Sequence, residues 1–305
     1  MDELVELWEK PKAARGLIAG WHQWADAGRV SSGLPEYLIR QTRARKIGEI
    51  KPGRFYLFQI PGTHHLLRPV VHLRDGYCKR MEGRSNAFYH AGDQGRGFLI
   101  FLGEEPHQDE ERYAEAFLDA VEALGVRRVV AVAGVHGPVP YDKNREISCI
   151  YSLPDMRDEL LAYAVKPSNY EGGTTIGTYI AHKAEGRAIE MVGFYALCPA
   201  YDFSKGTVLV QQVSMEEDYK AWHDLLLRIN HMLRLDIDLL DLERKSRALE
   251  AAWDAKIEQL AKLPHLDVRG YLEQVNAEFT ETTFEPLSHV WEDALGEILD
   301  DSSDG

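Results

Sequence analysis

Cysteine is scarce in this chain: three residues in 305, Cys78, Cys149 and Cys198, far apart and odd in number. A disulfide framework and a CxxC metal site are both excluded, and the usage fits a reducing compartment. Each thiol sits among apolar or aromatic neighbours, so buried structural cysteines are the expectation. Cys198, in Ala196-Leu197-Cys198-Pro199, has nothing adjacent in sequence to lower its pKa and make it a nucleophile. Long apolar runs are also missing. The most apolar stretch, residues 129–135, is about a third of the ~20 residues a membrane span needs. The acidic start, Met1-Asp2-Glu3-Leu4-Val5-Glu6, lacks the basic and apolar regions of a signal peptide. A soluble, cytoplasmic protein with no membrane association is expected.

Positive charge is in deficit. Lys plus Arg number 35 against 49 Asp plus Glu, a formal charge of −14. A duplex binder releases phosphate counterions with a positive surface, so this balance argues against nucleic acid as a partner. The richest basic segment, residues 39–54 with Arg40, Arg43, Arg45, Lys46, Lys51 and Arg54, reads as a solvated helix end and loop. The signatures GxxxxGK[ST], HExxH and GxSxG are absent, and no GxGxxG follows a strand. His64-His65 has no third ligand at recognisable spacing. No cofactor and no metal are expected.

What is present is an ordinary globular mixture, 45% hydrophobic and 28% charged. Residues 16–20, 97–103 and 129–133 are short apolar runs of the kind found in buried strands. Residues 55–60 and 69–73 also read as strands, and Asp75-Gly76 as a tight hairpin turn before 77–81. Tyr113, Phe117, Val121 and Leu124 recur at helical spacing, with Gly125 as the residue that ends the helix. Strand, helix and strand at this spacing form the crossover unit of a parallel sheet. Helices are expected over 174–183 and 215–233, and a strand over 189–197. Beyond Leu235 only amphipathic helices are expected, punctuated by Pro264, Gly270 and Pro286. Three apolar stripes mark them, the third running from Leu287 through Trp291 to Ile298. Thr280 to Gly305 holds eight acidic residues and no Lys or Arg, so its end reads as a solvated tail. The organisation expected is an α/β core over 1–235, a helical subdomain over 236–300 and an acidic tail over 301–305.

Candidate chemistry lies in loops after predicted strands, where open α/β sheets place their ligands. Asp26 follows Gly20-Trp21-His22-Gln23-Trp24-Ala25 and is either a helix cap or a pocket carboxylate, the cap being favoured. Glu104 and the adjacent Glu105 could share a proton, ligate a metal or act as acid and base, or Glu105 before Pro106 simply shapes the turn. His136, in a loop rigidified by Pro138 and Pro140, would be the base of any reaction there. Glu171 precedes Gly172-Gly173-Thr174, either an anion nest or a turn with Thr174 as cap. Trp21 and Trp24 in a polar loop, with Tyr141 and Tyr201 after later strands, are the candidates for partner contact.

Taken together these loops resemble the proteasome assembly chaperone 2 family, especially its bacterial branch. The residues carrying the resemblance are Gly20-Trp21 with Asp26-Ala27-Gly28, Arg68-Pro69 with Asp75-Gly76, and Gly103-Glu104-Glu105-Pro106. Val139-Pro140, Tyr170-Glu171-Gly172 and Pro199-Ala200-Tyr201 continue the series. The resemblance implies a three-layer α/β/α domain of the phosphorylase/hydrolase-like type with a mixed sheet, and self-association, trimeric among many prokaryotic relatives. It further implies a non-enzymatic role in protein interaction or assembly, with proteasome-related subunits as possible partners. One departure stands out: the chain ends Asp301-Ser302-Ser303-Asp304-Gly305, without the hydrophobic-Tyr terminus common in proteasome-docking tails. The alternative is a small-molecule binder or enzyme in which Asp26, Glu104, His136 and Glu171 converge on one pocket.

Overall fold

The computed structural model describes residues 4–22, 24–58, 68–93, 97–203, 213–263 and 266–285. In chain order the first half runs β1 (Val5–Leu7), β2 (Leu17–His22), α1 (Val30–Gln41), β3 (Arg45–Ile50), β4 (Val70–Arg74), β5 (Tyr77–Glu82), β6 (Ala87–Ala91), β7 (Phe98–Glu104) and α2 (Glu110–Ala123). The second half runs β8 (Arg128–Gly137), β9 (Ile147–Tyr151), α3 (Arg157–Leu161), β10 (Lys166–Pro167), α4 (Ile176–Glu185), β11 (Glu190–Tyr201) and β12 (Val213–Ser214). Three longer helices follow: α5 (Tyr219–Leu233), α6 (Leu240–Leu260) and α7 (Val268–Glu278). His64-His65, the third apolar stripe and the 301–305 tail lie outside the described residues.

Ten strands form one mixed sheet, ordered β1-β3-β6-β7-β2-β8-β11-β9-β10, with β12 paired to β11. The centre, β7-β2-β8-β11, is parallel. The flanks turn antiparallel at β6 on one side and β9 on the other. Alternation along the central strands assigns each face its helices. Ile18, Val130, Val132, Val192 and Phe194 point to the layer containing Leu34, Trp222, Leu225 and Ile229 of α1 and α5. Leu17, Ala19, Val129, Ala131 and Met191 point to the layer containing Phe117, Val121, Ile180 and Ala184 of α2 and α4. The fold is therefore three-layer α/β/α, as expected. Each large apolar side chain removed from water contributes about 1.5–3 kcal/mol.

Two glycines let α1 and the turn that precedes it sit close to the sheet. A Cβ on Gly20 would lie 1.8 Å from the Ser31 carbonyl oxygen, and one on Gly134 would lie 2.1 Å from that of Ala27. Capping is partly as expected. Gly125 (φ +65) ends α2, but Thr175 rather than Thr174 caps α4, its hydroxyl accepting from Thr178 N–H at 3.1 Å. The 39–54 segment corrects the expectation of a helix end and loop. Residues 45–50 are strand β3, and a register shift between Lys46 and Gly48 breaks the alternation that would have marked it. Residues 55–58 are not a strand. The helices after Leu235 pack back on the core. Trp253, Ile257 and Val268 close around Tyr201, Phe203 and Met215 at the far end of β11.

Candidate functional site

The parallel strands β7, β2, β8 and β11 end together, and the helices that follow β2 and β7 leave to opposite faces, which opens a crevice at the strand ends. Its lining includes Trp21, Trp24, Glu105, Thr175, Ile176 and Tyr195. Asp26, Glu104, His136 and Glu171 are not part of that lining.

The loop after β2 is tightly wound. Ala25 (φ 51), Gly28 (φ 59) and Arg29 (φ 48) are all left-handed, and Gly134 N–H donates to the Ala25 carbonyl at 2.8 Å. Helix α1 begins at Val30, four residues after Asp26. Asp26 nevertheless does capping work: Oδ1 accepts Ser32 N–H at 2.9 Å and Oδ2 accepts the Ser32 hydroxyl at 2.6 Å. Burial pushes its carboxyl above the usual range, opposed by those Ser32 bonds.

Trp21 corrects the expectation of a polar-loop aromatic. It is the fifth residue of β2 and is buried between Phe101 and Phe117, ring centroids 5.5 and 5.6 Å away. Its Nε1–H donates to the Tyr113 hydroxyl at 3.0 Å, which in turn donates to Asn86 Oδ1 at 3.0 Å. Trp24 is the opposite case, 62% exposed at the mouth of the crevice.

The adjacent glutamates part company, because they follow the strand pleat to different partners. Glu104 pairs with Arg84, Oε2 to Nη1 at 2.5 Å. Glu105 turns the other way, its Oε1 accepting the Ile176 N–H at the start of α4 at 2.8 Å. Burial raises the Glu105 carboxyl above its ordinary range, with the N–H groups of Ile176 and Trp24 working against that rise. Beside it, the Tyr195 hydroxyl lies 2.6 Å from the Thr178 hydroxyl and 3.1 Å from that of Thr175.

The remaining candidates are dispersed. His136 belongs to β8, which runs through Gly137, so it sits on a strand rather than in a loop. Burial lowers its pKa. Glu171 is exposed in the irregular segment before α4. Tyr201 is buried rather than at the surface, because β11 runs twelve residues and carries it under α6 and α7; its hydroxyl donates to the Val139 carbonyl at 2.7 Å. Tyr141 donates to Asp254 Oδ1 at 2.7 Å and lies over Trp253 of α6. Cys198 is buried, and burial drives its thiol well above the ordinary value, away from nucleophile chemistry.

A buried ion pair that the sequence did not suggest organises the neighbouring loop. Arg145 Nε donates to Asp218 Oδ2 at 2.8 Å, with the carboxylate fully buried. The same guanidinium donates to the carbonyls of Pro140, Tyr141 and Lys143 at 3.1, 3.1 and 2.6 Å. Asp218 also caps α5 by accepting Ala221 N–H at 3.0 Å. The partners lie 73 residues apart, and only the tertiary fold brings them together. Among the described residues, no group of three or more His, Cys, Asp or Glu could hold a metal ion, and no helix is long and apolar enough to cross a membrane.

Comparison with known proteins places this architecture. The PAC2 family model matches residues 20–257. A crystal structure of a Mycobacterium tuberculosis proteasome-assembly chaperone homologue is 22% identical with a TM-score of 0.69, covering 85% of this chain and 99% of that one. A PAC2 family protein from Streptomyces avermitilis is 23% identical with a TM-score of 0.67, covering 84% and 98%. Pyrococcus furiosus PbaB, an archaeal proteasome activator, is 19% identical with a TM-score of 0.57, covering 85% and 100%. These likenesses share the fold described above. No curated protein matches the sequence.

Proposed function

The chain belongs to the PAC2 family, and from that premise we propose that it is a non-enzymatic interaction protein of the assembly-chaperone type. Its proposed partners are proteasome-related subunits, the association carried by the names of its structural relatives, a proteasome-assembly chaperone homologue and a proteasome activator. The observation that carries the reading is Trp24: a 62% exposed indole at the strand ends, beside polar groups already engaged within the fold. Exposed aromatics on rigid loops are the usual anchors of protein interfaces. In this reading residues 1–235 present the recognition loops, the later helices buttress β11, and the chain acts in the cytoplasm as a self-associated oligomer, a trimer by family resemblance.

The test is capture of the tagged chain from its own lysate, with bound proteins and extracted small molecules both identified. Stoichiometric proteasome subunits support the proposal; their absence, with no other stoichiometric protein, sinks it. A small ligand bound instead would favour the crevice, where Glu105 and the Tyr195 hydroxyl are the polar groups a ligand would meet.

A further inference from the structure

Strands β4 and β5 stand apart from the main sheet as a two-stranded ribbon whose residues are all exposed. Asp75 and Gly76, both at positive φ, close its tip. The register sorts its side chains. Val71 opposes Met81 and Leu73 opposes Cys78, which places an apolar set on one face. His72 opposes Arg80, Val70 opposes Glu82 and Arg74 opposes Tyr77, so the other face mixes Arg74, Arg80, Glu82 and His72 with Val70 and Tyr77. Leu73 and Met81 are each 63% exposed and Val71 47%. A lone two-stranded hairpin is marginal in water, and an alternating ribbon with one apolar face is the pattern of a sheet packed against something. Contiguous exposed apolar side chains of this kind mark association sites.

Charge narrows the choice of occupant. Residues 68–84 carry five basic and two acidic residues, net +3, on a chain of −14 overall, so the remainder carries −17. The ribbon is a cationic arm on an acidic body. We propose that this arm docks on a second copy of this chain, its apolar face covered by the partner's surface and its basic residues set against the partner's acidic body. Each arm seated on the next copy around a closed ring completes such an assembly without leaving an arm unpaired. The inference deepens the self-association included in the proposed function and rests on that part of it.

Cys78 is an internal reporter, exposed on the arm while Cys149 and Cys198 are buried. The experiment is sedimentation of the full chain across a concentration series at low and high salt, alongside the rate of Cys78 modification by a maleimide. Leu73→Asp places a charge on the apolar face, and Lys79→Glu reverses a charge at the bulge. Both positions are exposed, and circular dichroism checks that the variants fold. The expected result is assembly of the wild type that weakens with salt, with about a tenfold rise in dissociation constant for each variant. Cys78 modification is expected to slow about tenfold in the assembled protein relative to the dilute one. Assembly with unchanged strength in Leu73→Asp and unchanged Cys78 labelling overturns the arm as the interface while leaving self-association standing. A wild type that stays monomeric at about 100 µM yet captures proteasome subunits overturns the second-copy occupant and leaves the interaction-protein reading intact.

Discussion

Replacing Arg145 with Met removes the charge that neutralises Asp218 while keeping most of the side-chain volume. The guanidinium is 2% exposed and the carboxylate fully buried, so water cannot take over the lost bonds. Three carbonyls, of Pro140, Tyr141 and Lys143, lose their donor at the same time. Breaking one side of a buried pair costs about 3–5 kcal/mol, mostly the penalty of the stranded charge. At about 2–4 °C per kcal/mol for a domain of 150–250 residues, slightly less for this longer chain, Tm falls by roughly 5–15 °C. Thermal and urea unfolding followed by circular dichroism measure it. The double variant Arg145→Met, Asp218→Asn recovers part of the loss, since it removes the unpaired charge while Asn keeps an acceptor for Ala221 N–H. A single variant within about 1 kcal/mol of wild type, or a double variant no better than the single, refutes the stranded-charge account.

Gly20→Ala forces a methyl into the Ser31 carbonyl, 1.8 Å away; backbone has to move, and a loss of more than about 3 kcal/mol or failure to fold is expected in chemical denaturation. Tyr201→Phe deletes the hydroxyl that donates to Val139 O, with an expected loss of about 1–2 kcal/mol in urea unfolding and an unchanged fold. Glu105→Gln tests burial at the crevice through pH. Because burial raises the folded-state pKa of Glu105, its contribution to stability is complete below the ordinary value of about 4.3 and is lost as pH rises through the folded value. Glu105→Gln does not titrate there, so its stability relative to wild type rises from pH 4 toward pH 7; a flat difference across that range refutes the assignment.

The central strands were legible because β2 and β7 are glycine-flanked apolar runs and β8 opens on a third such run, which a two-sided buried strand needs. The β4–β5 hairpin was legible from Asp75-Gly76. The antiparallel flanks were not: β3 reads Arg-Lys-Ile-Gly-Glu-Ile with a register shift, and its burial comes from pairing with β1 and β6 rather than from a local pattern. At the site, the sequence offers Asp26 both as a cap and as a pocket carboxylate; in the fold both its oxygens are engaged by Ser32. Trp21 and Tyr201 were misplaced for one reason. The strands that carry them run further than their apolar runs, so aromatics assigned to loops are strand residues inside the layers. Glu105 with Ile176, and Arg145 with Asp218, join segments 71 and 73 residues apart, and nothing local in the sequence announces either contact.

The most direct test of the interaction-protein account is titration of the purified chain against purified proteasome subunits, wild type beside Trp24→Ala. Trp24 is largely exposed, so its removal is expected to leave stability within about 0.5 kcal/mol. Binding by wild type, weakened about tenfold or more in Trp24→Ala at unchanged Tm, is the predicted result. No binding by the wild type, or equal binding by the two proteins, contradicts it.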